Sequence, residues 1–593
     1  EFTAGDIGLL DGRFSVSGPV SNSVAYRLSG RVHKRDGFMD DLDPAGGGGK
    51  ENLNDVDDWN LRGQLLFTPG DQLDIRLIAN YTERDQLCCS GELDAGPAHV
   101  AIATAFGIPQ APLDGTDRVV SLDFPVTFVQ DSTAVTAIIN YYHDAFTLTS
   151  ITGYNHYDWE GKQDTDFSSI DWWQVDSKRN EGESWSQEIR IASKAESRFD
   201  WLGGVYYDSF KLKKEGPGST PLTMGTIPGF VLPAILPPPL TVAAGDTSEV
   251  SYEWDQESIA VFGQVGFDIT DKLTVSAGLR FKHEEKDAHF IQNPITASPF
   301  SIIALAIVPA MDEDLDREDE GVTWMASVRY LWSDDIMTFF TVATGEKSGG
   351  FTAAPGLAIT SSQREYDEEK TINYELGIKS RWLNNRLQVN ASLFHTEIED
   401  FQNQTFEATS GAAIIDNAPL QISRGIDIEA SAIITDWFTL NAAVEVLDAE
   451  YDKFPNGPCY LSHPNFSPSG GNCDVSGEDL PWASDWSAMI TGNFVWPIGA
   501  NQLYARIDYS YSGDHVAAED LDPRAEQSYD LLNLRAGMRG QFGENSWDVS
   551  VWAKNATDET YIVQSVGIPL FPGSFMQWLN PPRMWGVTLS AEF

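Results

Sequence analysis

Side chains able to do chemistry gather in a few places along the 593 residues. The densest is the run MDEDLDREDEG at residues 311–321. Carboxylates at that density usually belong to a solvated loop, which is the first reading; a divalent-cation site is the second, because hard cations prefer carboxylate oxygen. His33, His143, His156, His283, His289 and His395 lack the paired spacing of a zinc site, so ordinary polar roles and no metal are expected. Tyr154, His156, Tyr157, Trp159, Trp172 and Trp173 fall at the head of one strand and in the loop after it. Such a group reads first as an interface girdle and second as a stacking platform for a ring-bearing ligand. No nucleophile elbow and no glycine-rich phosphate loop occurs. The chain is therefore not read as an enzyme, and no cofactor is expected.

The elements that hold these groups are strands, and the last stretch shows their kind. In RMWGVTLSAEF, residues 583–593, Trp585, Val587, Leu589, Ala591 and Phe593 fall on one face. Gly586, Thr588, Ser590 and Glu592 fall on the other, an unbroken period of two. A strand that closes a membrane barrel can end on an outward aromatic, because that face meets lipid. Trp585 and Phe593 are accordingly read as a membrane-assembly signal.

Composition narrows the class. Lys and Arg total 39 against 88 Asp and Glu, a formal charge of -49, which argues against nucleic acid as a partner. The 18 Trp, 19 Tyr and 31 Phe are a load that barrel girdles use. The longest apolar stretch, 228–245, carries five prolines and cannot cross a membrane as a helix. A closed sheet is the other spanning solution.

Short turns punctuate the chain at 142–144, 195–197, 270–272, 333–335, 383–385, 435–436, 497–499 and 543–545, with long loops between them. The rhythm gives about 22 strands, including a truncated first one near residues 2–6. The expected fold is all-β: one transmembrane antiparallel β-barrel over residues 1–593, with short periplasmic turns and long extracellular loops. Alternation puts Arg31, Arg76, Arg280, Glu375, Asp427 and Arg535 on the lumen side. Tyr157, Trp159, Trp172, Trp173, Arg280 and Glu375 are the ligand-binding candidates. Residues 222–245 and 299–311 are apolar loops on the extracellular side; they read first as a cap folded on itself, then as a site for a hydrophobic substrate or a neighbouring envelope protein.

These stretches resemble the TonB-dependent receptors, the active transporters of the Gram-negative outer membrane. The resemblance rests on ESWSQEIRIAS (183–193), AVFGQVGFDITDKLTVSAGLRF (260–281), TGEKSGGF (344–351), NYELGIKS (373–380), SRGIDIEA (423–430), SWDVSVWAKNATD (546–558) and residues 580–593, in that order along almost the whole chain. It implies uptake of a scarce solute, first of all a ferric siderophore, with saccharide, cobalamin or an aromatic compound as alternatives. It also implies outer-membrane lipid, lipopolysaccharide and the energy-coupling protein TonB as partners. Family members begin with a TonB-recognition box and a plug domain. Neither is found here, so the expectation is a barrel portion without its plug. A passive porin and a structural barrel in an envelope assembly are the other classes.

At a cell surface cysteines can oxidise. Cys459 and Cys473 flank a Gly- and Pro-rich loop and are expected to pair. Cys88 and Cys89 are adjacent, so they form a vicinal disulfide or remain two thiols.

Overall fold

Period-two alternation becomes 22 antiparallel strands that pair in chain order and close on themselves in the computed structural model. The structure describes residues 1–593 except 43–50, 109–115, 195–197, 215–221, 226–242, 301–309, 353–363, 408–411, 461, 467–471 and 569–572. The expected turn at 195–197 and most of the two apolar loops lie outside the described residues.

The barrel strands are β1 (Phe2–Gly5), β2 (Leu10–Ser21), β3 (Val24–Arg35), β4 (Val56–Gly70), β5 (Leu73–Gln86), β6 (Thr127–Tyr142), β7 (Phe146–Asp164) and β8 (Trp173–Ser193). Next come β9 (Phe199–Lys214), β10 (Thr247–Asp268), β11 (Leu273–Ile295), β12 (Met311–Ser333), β13 (Ile336–Lys347), β14 (Glu369–Trp382) and β15 (Leu387–Glu407). The last are β16 (Ala412–Thr435), β17 (Phe438–Lys453), β18 (Trp486–Ile498), β19 (Asn501–Val516), β20 (Glu526–Phe542), β21 (Asn545–Lys554) and β22 (Met584–Glu592). The seam joins the truncated first strand to the last, Phe2 opposite Leu589 and Gly5 opposite Gly586.

One face of each strand is apolar and exposed in the isolated barrel, as lipid contact requires. Val16, Leu28, Leu77, Val261, Leu279, Val322, Leu376, Val551 and Trp585 all lie on it. The opposite face is polar and lines the bore.

Strand lengths are uneven. A membrane crossing takes about 9–11 residues, yet β10, β11 and β12 have 22, 23 and 23. At about 3.3 Å per residue these strands rise well above the bilayer as a free-standing wall. This corrects the reading of residues 311–321 as a loop: they form the upper part of β12. The acids of its outward face are solvated because that face lies above the membrane, while Asp319 on the inner face is buried beside Arg317. Asp312, Asp314, Asp316, Glu318 and Glu320 are exposed, and the residues between them are partly or fully covered.

Of the buried clusters among the described residues, the two largest lie at the loop end of the barrel. One gathers Met39, Leu53, Leu93, Leu122, Phe167, Ile170, Trp172 and Met224 from several loops. The other gathers Tyr451, Phe454, Val475 and Leu480 beside the Cys459–Cys473 disulfide. A helix, Pro97–Phe106, packs Ala103 into the first core; it starts on a proline and ends at Gly107 with φ 64°, the left-handed cap that glycine adopts freely.

Candidate functional site

The strand pleat decides which side chains meet. In β7, Tyr154 points outward to the exposed face beside Trp185 of β8. Tyr157 and Trp159 lie three and five positions on and so point inward. Tyr157 is seated over Gly182, where a Cβ would strike its ring. The Trp159 ring stacks on Phe128 of β6 with centroids 5.9 Å apart and planes 30° from parallel. Tyr157 and Trp159 are therefore wall residues of the upper bore and not part of a lipid girdle.

The remaining sequence candidates are placed elsewhere. Trp172 is buried in the loop core, 2% exposed, with no face free for a ligand. Trp173 opens β8 opposite Met224, and its side chain lies outside the described residues. Arg280 sits on the bore wall with its guanidinium 5.6 Å from the Tyr206 ring and 5.7 Å from the Phe262 ring. Glu375 lines a separate concavity of about 670 Å³ with Lys379, Asp427, Glu429 and Glu445. Among the five candidates whose side chains are described, Tyr157 and Trp159 share a stretch of wall and the others lie apart.

Near the seam the bore is cationic but self-paired. Asp11 accepts hydrogen bonds from Arg13 and Arg31, each with an N–O distance of 2.7 Å. Arg506 pairs with Asp508 at 2.8 Å.

Cross-strand register also builds groups that sequence spacing did not suggest. A strand histidine with an acid two positions on shares a face with it. His156, Asp158 and Glu181 meet in this way, as do His283, Glu285 and Glu318, each set with its ligand atoms within 4.8 Å of one another. A third set, Asp123, Asp164 and Asp166, is interior. Asp164 is fully buried and its Oδ1 accepts from the Phe167 amide at 3.0 Å, while its Oδ2 accepts from the Asp123 amide at 3.3 Å. Burial pushes both carboxyls up, Asp123 to about 7, and the neighbouring Asp166 and Asp123 carboxylates raise Asp164 further. These oxygen sets suit a hard cation, and the histidine sets a transition metal. The signal available in the sequence was His-x-acid on a strand.

A closed 22-strand barrel with an apolar outer belt, a polar bore and long walls above one rim is an outer-membrane barrel of a Gram-negative bacterium. Residues 9–556 match the family model described as TonB dependent receptor-like, beta-barrel, and the chain belongs to that family. Among curated relatives, the pesticin receptor of Yersinia enterocolitica is 24% identical over 305 residues, covering 51% of this chain and 40% of the receptor. A probable TonB-dependent siderophore receptor of Acinetobacter baumannii, PiuA, is 24% identical over 203 residues, covering 33% of this chain and 24% of its own length. These matches span less than half of each relative. Among solved structures, the ferric yersiniabactin uptake receptor FyuA of Yersinia pestis aligns over 100% of this chain and 79% of its own, with a TM-score of 0.76 and 18% identity. The siderophore receptor PiuA of Acinetobacter baumannii aligns over 100% and 81%, with a TM-score of 0.72 and 16% identity. At such identities these structures speak for the fold.

Proposed function

We propose that this chain is the transport barrel of a receptor that takes up a ferric siderophore complex across the outer membrane. The observation that carries the reading is the family match over residues 9–556. One structural relative named above is a ferric yersiniabactin uptake receptor and the other a siderophore receptor, which favours a ferric chelate over saccharide, cobalamin or other solutes. In this reading the loops and inner wall at the extracellular mouth capture the chelate. A plug domain fills the bore, and TonB pulls on it to release the chelate towards the periplasm. A barrel of about 22 strands is wide enough to need such a plug. Lipopolysaccharide surrounds the outer belt.

The chain's own residues supply the wall chemistry. Paired charges along the bore, such as Asp11 with Arg31, keep that part of it wetted. The aromatic pair Phe128 and Trp159 offers a planar apolar surface near the mouth. Fluorescence titration of the purified full-length protein with a panel of ferric siderophores, their iron-free forms, oligosaccharides and cobalamin tests the reading. Saturable quenching by at least one ferric form is expected. Binding of a saccharide or cobalamin with no response to any ferric chelate would overturn it.

A further inference from the structure

Lys214 ends β9 on the inner face and is 6% exposed. Lysine is rarely buried unless paired, because removing an ammonium from water is costly. Among the described residues the Lys214 ammonium has no ion pair and no hydrogen bond; the Tyr252 ring lies beside it, with the centroid 5.9 Å from Nζ. Burial pushes its pKa down to about 8. It lines a cavity of about 270 Å³ together with Phe128, Trp159, Lys162 and the bonded pair Cys88–Cys89. Among the described residues no carboxylate lines that cavity, although acids outnumber bases 88 to 39 in the chain. A space lined by two lysines and by no acid of the described residues has the wrong charge for a cation and the right one for an anion.

We propose that this cavity is a binding subsite for an aromatic carboxylate, with the anion on Lys214 and the ring against Phe128 and Trp159. The inference rests on the uptake reading only in making such a group part of the transported chelate. A compact ammonium without an arginine fork suits a monoanion better than a phosphate, which favours bidentate donors. The volume lies just below the range usual for whole ligands, so the cavity fits one ring and its acid and not an entire chelate. Stacked or edge contact with two indole- and phenyl-type walls selects a planar group over an aliphatic acid. Binding draws on the protonated amine, so affinity should fall as the amine deprotonates above pH 8.

The test uses benzoate with the purified full-length protein in detergent, measured by calorimetry, with acetate and benzamide as the ring-free and charge-free comparisons. Benzoate should bind at least ten-fold more tightly than either. Lys214→Met should lose at least ten-fold in benzoate affinity while keeping the heat-shifted mobility of a folded barrel. Between pH 7 and pH 9 the wild-type affinity should drop by about ten-fold, as a single proton with a pKa near 8 requires. Benzamide binding as tightly as benzoate, or unchanged affinity in Lys214→Met, would overturn the proposal. If that variant does not fold, acylation of the wild-type lysines read by mass spectrometry decides: benzoate must protect Lys214, and absence of protection overturns the subsite. None of these readouts involves iron uptake, so a failure here leaves the transport reading standing, and a failure of transport leaves the subsite testable.

Discussion

Thr3 and Thr588, separated by 585 positions in the chain, share a hydrogen bond of 2.8 Å on the inner wall. They sit directly opposite each other where β1 meets β22, and both are buried. The Trp552 indole N–H also reaches Thr588 Oγ1, at 3.2 Å. The first strand is only four residues long, so each side-chain bond across the seam supplements a short ladder. Thr3→Val should cost about 1 kcal/mol, and Thr588→Val about 2 kcal/mol because it leaves both the Thr3 hydroxyl and the Trp552 N–H without their partner. The double variant should recover part of that loss. Urea unfolding in lipid vesicles measures all three, and additive costs would show that the pair is not coupled.

Lipid-face identity is testable in one strand. Val261 of β10 points outward and is 54% exposed in the isolated barrel, while Gln264, three positions on, faces the bore. Val261→Arg should destabilise the inserted barrel by about 2–4 kcal/mol. Gln264→Arg should cost under about 1 kcal/mol, since lumen positions accept charge. A larger cost at Gln264 than at Val261 would mean that the pleat is inverted, and equal costs would mean that neither position faces lipid.

Phe593 lies just beyond β22 and is 98% exposed, with Trp585 on the same outward face. Phe593→Asp is expected to block insertion while leaving synthesis unchanged. Gel mobility before and after heating reports it: a folded barrel shifts and an uninserted chain does not. A normal shift in the Asp variant would remove the assembly role.

The buried acids predict a pH dependence of the loop core. Asp123 and Asp164 hold protons in the folded state that they lose in the unfolded chain, because burial raises both. The folded form therefore binds more protons between the ordinary carboxylate range and about pH 7, and its stability falls as pH rises through that window. Hydrogen exchange around Phe167, corrected for intrinsic rate, should show easier opening at pH 8 than at pH 5.5. Asp123→Asn should flatten the slope. A core equally protected at both values would contradict the assignment.

The barrel was legible because each strand carries its own period-two record, independent of its neighbours. The β3–β4, β11–β12 and β20–β21 pairings all follow from that local pattern. Residues 311–321 misled because the usual strand signal needs an apolar face, and β12 has none above the membrane. Trp159 and Trp172 looked equivalent in sequence, yet one lines a cavity and the other fills a core. That difference depends on loops converging from residues 39 to 576, which no local pattern encodes. Lys214 gave no signal either. Its run KLKK at 211–214 reads as a solvated end, and only the register against Asn180 and Tyr252 turns the last lysine inward.

The central claim is energy-coupled entry of a ferric chelate through this barrel. Radio-iron accumulation in Gram-negative cells that lack their own ferric-chelate receptors and express the full-length gene tests it most directly. Accumulation from at least one ferric siderophore, stopping when a protonophore collapses the proton-motive force, is the expected result. Accumulation that continues unchanged after the collapse, or that equals the level in cells without the gene for every chelate tried, would contradict the account.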